Sequence, residues 1–274
     1  MTSYKLKCIA IIAMTIDHIE KILGQPFLLL LFPGQYAMTA HIMDVLSWIG
    51  RLAFPIFAYL IAEGCRKTRS IPRYIGRLVI FAVITEPAFS LAFNAPMPVG
   101  EALSMLARQL LRFQLTSVFA TLALGALAIY VFRLATEESS KFPKWLMPPV
   151  LILILFYAEY AGTDYSIFGV LLIFAFYMCR SHRAVTVTII LWSMALYLGY
   201  SSFWSVSTLI RTPLTYIIPC IFSCSSALLL YFYNGERGRP LKWTFYIYYP
   251  AHLTVLYGVA YLIVRPLFRA ALGG

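Results

Sequence analysis

A chain of 274 residues would ordinarily fold as one or two soluble domains, but 61% of these residues are hydrophobic, only 12% are charged, and the mean hydropathy is +0.79. A soluble globule of about 300 residues still exposes about a quarter of its unfolded surface, and so few polar side chains cannot cover it. The composition points to an all-α polytopic helical membrane protein and excludes disordered, collagen-like and disulfide-scaffold classes. The net charge of +11 is not a nucleic-acid signal, because the cations sit between apolar runs, where membrane topology accounts for them.

In chain order, nine apolar stretches are long enough, or nearly so, to cross about 30 Å of hydrocarbon. They lie at 6–23, 46–64, 76–94, 115–133, 145–161, 165–179, 184–200, 212–233 and 243–264, so eight to ten transmembrane helices are expected. The first run carries Asp17, His18 and Glu20 and no small-residue cleavage site, so it is expected to stay in the mature protein. The run 27–32 is too short to span alone, and 101–112, with Arg108 and Arg112 on one side, reads as an interfacial helix. With the N-terminus cytoplasmic, fifteen of the 22 Lys and Arg residues fall in inner segments and seven on the outer side. The polar patch 136–144 is then an inner loop. No repeat or linker divides the chain, so a single domain over 1–274 is expected. Cys8, Cys65, Cys179, Cys220 and Cys224 are scattered and read as free thiols, with no metal-ligand spacing among them. Trp145, Trp204 and Trp243, near run ends, read as interface anchors, and the outer run 200–207 as a packed loop.

Ionisable residues inside apolar runs are expensive and therefore candidates for function. They are Asp17, His18, Arg51, Glu63, Glu86, Glu159 and His252. Measured from the inner helix ends at 1.5 Å per residue, His18 lies about 16 Å deep, His252 and Glu86 about 14 Å, and Arg51 about 21 Å. Four polar groups from four helices at similar depth imply a shared water-filled cavity. Lys7 and His18 are eleven residues apart, about three turns, and so share one helix face. A cation at the cytoplasmic mouth with an imidazole deeper in would suit a long ligand with an anionic head, as acyl-coenzyme A is. Asp17 points about 100° away from His18 and is not expected to form a dyad with it.

Four segments give the chain a resemblance. They are KLKCIAIIAMTIDHI at 5–19, IGRLAFPIFAYL at 49–60, DYSIFGVLL at 164–172 and FYIYYPAHLTVL at 245–256. In this order the chain resembles the TraX-like membrane proteins along nearly its whole length. That family looks like a branch of a transmembrane acyltransferase group whose first helix carries a basic residue, ten residues and then a histidine, as Lys7 and His18 do here. The resemblance implies a multi-pass protein of the bacterial cytoplasmic membrane that takes an acetyl group from cytoplasmic acetyl-CoA to an acceptor at the outer face. The acceptor in the family is the N-terminus of pilin, and another protein or an envelope glycan is the alternative. His18 takes the catalytic place, with Asp17, Arg51 and His252 in the other polar places of the matched segments and Asp164 and Tyr165 opening the third. One departure is Gln114, in RFQLTS, where the family tends to carry Asn; the stretch 96–112 has no match.

The expected roles follow. Lys7, with Arg66, Lys67, Arg69, Arg73 and Arg77, would hold the phosphates of the donor. His18 would be the general base, and Arg51 or His252 would stabilise the thioester oxyanion. Glu86, Asp164 and Tyr165 would contact the acceptor. No metal and no tightly bound cofactor is expected; acetyl-CoA is a co-substrate, and the lipid bilayer is the standing partner. Two rival readings are a proton-coupled transporter with Asp17, Glu86 and His252 as relay, and a non-catalytic membrane scaffold.

Overall fold

The structure is a computed structural model that describes residues 1–95, 98–200, 210, 212–239 and 242–271. Among these residues it is all-helical, with no strand. The helices are α1 (Ser3–Leu31), α2 (Tyr36–Gly50), α3 (Ala53–Lys67), α4 (Ile71–Phe93), α5 (Val99–Leu111), α6 (Val118–Thr136), α7 (Met147–Tyr160), α8 (Ser166–Met178), α9 (His182–Ser193), α10 (Leu214–Tyr231), α11 (Lys242–Val259) and α12 (Arg265–Ala271). Trp204, Arg211 and the run 201–207 lie outside the described residues.

Local sequence explains where the helices start and bend. The Thr2, Ser70 and Ser181 hydroxyls cap α1, α4 and α9 by accepting from Lys5 N, Arg73 N and Ala184 N. In α1 the ladder breaks at Gly24, whose φ of 57° and ψ of −156° suit only glycine, just before Pro26. The short run 27–32 is thus the reoriented end of α1 and not a separate element. α9 and α11 run on into π-helical turns at Met194–Tyr200 and Ala260–Val264. The run 46–64 is divided: α2 ends at Gly50, one turn intervenes, and α3 begins at Ala53.

Among the described residues, six stretches are long and apolar enough to cross a membrane: Tyr36–Lys67, Ile71–Phe93, Val118–Thr136, His182–Tyr200, Leu214–Tyr231 and Trp243–Ala271. They correspond to six of the nine expected runs. The other three differ for physical reasons. α1 has the length, at 29 residues, but carries Lys5, Lys7, Asp17, Glu20 and Lys21. α7 and α8, at 14 and 13 residues, reach only about 20 Å each at 1.5 Å per residue. The segment 101–112 is a helix, α5, with Arg108 in its last turn. Large apolar side chains such as Ile80, Val83, Phe156, Leu191 and Val255 are more than half exposed, and in a bilayer these faces meet lipid. All five cysteines are free, and Trp145 and Trp243 are exposed.

The interior is built on α1, α3, α4, α6, α8 and α11. α6 packs on α4 and α8, α3 on α1, α6 and α8, and α11 on α1 and α4. Small residues permit the close approaches: a methyl on Gly50 would collide with Asp17, and one on Gly125 with Ile173. This arrangement sets side chains of α1, α3, α4, α6 and α11 around an internal space.

Candidate active site

α1 supplies one wall. Lys7, Ile11, Met14 and His18 recur at helical spacing, and all four face internal space: the first three line a cavity of about 490 Å³, and Met14 and His18 line a smaller chamber of about 30 Å³. The larger volume lies within the range of small-molecule sites. Its cations are Lys7, Lys67, Arg69, Arg77 and Arg237, and its deeper walls are apolar and aromatic, with Leu78, Phe119, Leu122 and Tyr246. The small chamber holds Asp17, His18, Lys21, Asp164 and Tyr165. Met14, Phe57, Val118 and Tyr249, from four different helices, line both and form a collar between them.

Beyond the collar, His18 and His252 are hydrogen-bonded. His18 Nδ1 is 2.8 Å from His252 Nε2, and the ring planes lie 3° apart. The proton positions follow from the third partner. His252 Nδ1 is 2.9 Å from the Tyr248 carbonyl, which can only accept, so Nδ1 carries the proton. Nε2 of a neutral His252 is then an acceptor, and His18 Nδ1 must donate to it. The lone pair of His18 is left on Nε2, where no hydrogen bond occupies it among the described residues. Aromatic edges enclose the pair: Phe93 and Tyr249 stand 5.4 and 5.8 Å from the His18 ring, and Tyr248 stacks on His252 at 5.0 Å. The Tyr248 hydroxyl is in turn 2.8 Å from Thr15 Oγ1 on α1.

The other expected residues divide. Asp17 is paired with Lys21 at 2.6 Å and packs against Gly50, facing α2 and not His18. Arg51 donates to Ser47 Oγ at 2.8 Å and sits among Tyr165, Tyr197, Asp17 and Asp164, but lines neither space. Asp164 and Tyr165 line the chamber through a constrained turn. The Asp164 amide donates to the Thr116 carbonyl at 2.9 Å, and its carbonyl accepts from the Thr121 hydroxyl. Tyr165 has a left-handed φ of 62°, held by stacking on Phe54 at 3.8 Å between centroids.

Glu86 is committed to the fold. Its fully buried carboxylate accepts from Thr116 N at 2.9 Å, Thr116 Oγ1 at 2.5 Å and Ser117 N at 3.2 Å, capping the N-terminus of α6. It lines neither space. Of the six expected phosphate-binding cations, Lys7, Lys67, Arg69 and Arg77 line the large cavity. Arg66 instead donates to the Phe176, Tyr177 and Cys179 carbonyls and closes the C-terminus of α8, and Arg73 is outside the lining. Glu63 accepts from the Tyr233 hydroxyl at 2.7 Å and pairs with Lys67 at 2.7 Å, while Glu159 accepts from Ser166 Oγ. Burial, and then the bond to Glu63, hold the Tyr233 phenol above its ordinary pKa, so it remains a donor. Lys67 also reaches the Gly235 carbonyl at 2.6 Å.

Sequence reasoning missed Arg237, Tyr74, Tyr246 and Tyr249. Arg237 reaches the mouth because the loop before α11 is tied to α1, with Ser3 N bonding the Glu236 carbonyl at 2.8 Å and Tyr4 N the Arg237 carbonyl at 3.2 Å. Nothing in local spacing signals that contact. Tyr246 and Tyr249 are legible only as part of the aromatic run 245–249, and Tyr74 stands alone among the cations of 66–77.

These features define a class: a multi-pass helical membrane protein with an internal cavity lined in part by Lys7, Lys67, Arg69, Arg77 and Arg237 and with a buried histidine pair beyond it. The chain belongs to the TraX family, whose profile, described as "TraX protein", matches residues 3–260. It is also similar to a protein of Dichelobacter nodosus described as "Probable fimbrial assembly protein FimC, serogroup H1", with 28% identity over 265 residues that cover 93% of this chain and 94% of that one. No solved structure matches the chain at a significant level.

Proposed function

We propose that this protein is an integral-membrane acetyltransferase of the bacterial cytoplasmic membrane, with its N-terminus cytoplasmic, taking acetyl groups from cytoplasmic acetyl-CoA to an amine or hydroxyl at the outer face. The observation that carries the reading is the path itself: a cavity with cations at one end that meets, across a collar of four side chains, a chamber lined by a histidine with a free ring nitrogen. Lys7, Lys67, Arg69, Arg77 and Arg237 match the phosphates of coenzyme A by charge. The apolar and aromatic walls suit the uncharged arm. Lys7 and His18 are separated by about 16 Å along α1, a distance that calls for an extended ligand.

In the transfer, the acceptor nitrogen or oxygen attacks the thioester carbonyl carbon as its proton passes to His18 Nε2. The carbonyl electron pair moves onto oxygen. Collapse of this intermediate breaks the carbon–sulfur bond, and the thiolate takes the proton from His18 and leaves as free coenzyme A. His252 fixes the tautomer that leaves Nε2 able to accept. The acceptor is a pilin-type protein N-terminus in keeping with the family, or another envelope amine or hydroxyl. A proton relay through Asp17, Glu86 and His252 has less support, since Glu86 is sealed by three donors of Thr116 and Ser117, just ahead of α6.

Acetyl-CoA binding and coenzyme A release by detergent-purified protein test the proposal. Lys7→Ala is expected to weaken binding, and His18→Ala to abolish release with binding kept. Folded wild type that does not bind acetyl-CoA would remove the acetyltransferase reading.

A further inference from the structure

Acyl transfer needs a hydrogen-bond donor for the carbonyl oxygen as charge gathers on it. The two groups expected from sequence are otherwise engaged: His252 has both ring nitrogens bonded, and Arg51 lines neither the cavity nor the chamber. We propose that the Tyr249 hydroxyl is this donor, which makes Tyr249 a catalytic residue; the inference rests on the acetyltransferase reading.

Three observations converge on it. Tyr249 is 4% exposed, and its hydroxyl is buried with no hydrogen-bond partner among the described residues. Buried hydroxyls are almost always paired, so an orphan calls for an explanation. The Val118 amide, in the first turn of α6, stands beside this hydroxyl but outside bonding geometry. Second, Tyr249 belongs to the collar, whose other side chains, Met14, Phe57 and Val118, have no hydrogen-bond donor. A thioester carbonyl passing from the cavity toward His18 therefore meets a single side-chain hydroxyl there. Third, the Tyr249 ring lies 5.8 Å from the His18 ring and 5.3 Å from that of His252, edge to face. Base and oxyanion donor thus flank one small volume from α1 and α11.

The step balances. The acceptor lone pair forms the new bond to the carbonyl carbon, and the carbonyl π pair becomes an oxygen lone pair that accepts from the Tyr249 hydroxyl. The phenol keeps its proton throughout. When the carbon–oxygen double bond re-forms, the carbon–sulfur pair leaves with sulfur, and the proton held on His18 Nε2 neutralises the thiolate. An orphan hydroxyl suits this role: it has no competing partner to lose when the oxyanion appears.

The test is Tyr249→Phe in the full-length purified protein, with acetyl-CoA as donor and glycinamide as a small amine acceptor. Removing one oxyanion donor typically lowers turnover by about 10²–10³-fold, and that fall is expected here with acetyl-CoA affinity and melting temperature unchanged. A packing residue would instead move affinity or melting temperature. Incorporation of 3-fluorotyrosine at position 249 provides a second measurement that preserves the ring and the hydroxyl. Its more acidic phenol should change turnover and leave donor affinity alone. Wild-type turnover in Tyr249→Phe, or an unchanged rate with the fluorinated residue, overturns the assignment. Wild type that binds acetyl-CoA yet releases no thiol overturns the catalytic roles of both His18 and Tyr249. Wild type that does not bind it at all removes the acetyltransferase reading itself.

Discussion

At the scale of residues, the site turns on which nitrogen of His18 holds a proton. The Tyr248 carbonyl decides this two hydrogen bonds away, through His252, so in the proposed transfer His252 acts by positioning and not by touching substrate. Replacing it with Phe leaves the His18 Nδ1–H without an acceptor and lets the ring take the other tautomer. Loss of a tautomer-fixing partner lowers turnover by up to about 10⁴-fold in hydrolytic triads. His252→Phe is therefore expected to cost at least about 10²-fold in coenzyme A release while acetyl-CoA affinity stays near that of wild type. His252→Gln keeps an acceptor and a donor on one side chain and should recover part of the loss. Equal rates for the two variants would remove the positioning role. The depth of both histidines is legible from run ends, but their bond is not: 234 positions separate them, and only the packing of α1 on α11 joins them.

At the scale of elements, Glu86 shows how a buried charge can belong to the fold. Its place within the apolar run of α4 resembles that of a reactive group, yet its oxygens are occupied by donors of Thr116 and Ser117 at the start of α6. A helix N-terminus attracts an anion through unpaired amides and the helix dipole, and here the anion comes from a neighbouring helix. Glu86→Ala leaves those donors buried and unpaired, a loss of roughly 1–3 kcal/mol. The variant should melt measurably lower with acetyl-CoA affinity unchanged in the folded fraction. A selective loss of binding at unchanged melting temperature would return Glu86 to the site. Arg66 teaches the same lesson at the end of α8, where three carbonyls claim a guanidinium that sequence places among phosphate ligands.

At the scale of the whole molecule, the cavity's cations and the inner-loop cations define one end. Lys7, Lys67, Arg69, Arg77 and Arg237 line the cavity, and in the proposed orientation, with the N-terminus cytoplasmic, that end faces the cytoplasm. A cysteine introduced at Ser140, between α6 and α7, in a background without the native cysteines, should react with a membrane-impermeant maleimide only after the membrane is opened. Labelling of intact cells would invert the orientation and place the donor cavity on the wrong side for cytoplasmic acetyl-CoA.

The sequence by itself determined the class: with 61% hydrophobic residues gathered into long, sparsely charged runs, the backbone is satisfied in lipid by helices, since barrel strands would alternate apolar and polar residues. It also placed Lys7 and His18 on one face of α1, because helical periodicity is local. The kink at Gly24, the split at Gly50–Ala53 and the short α7 and α8 follow from single residues and from packing, which hydropathy averages away. Tertiary structure alone decided which ionisable groups share space. Burial drives every charge to find a partner, and the partner's position in the chain is set by the approach of helices: Glu86 found the start of α6, Arg66 the end of α8, and His18 found His252, whose bond to the Tyr248 carbonyl leaves one ring nitrogen free beside the collar.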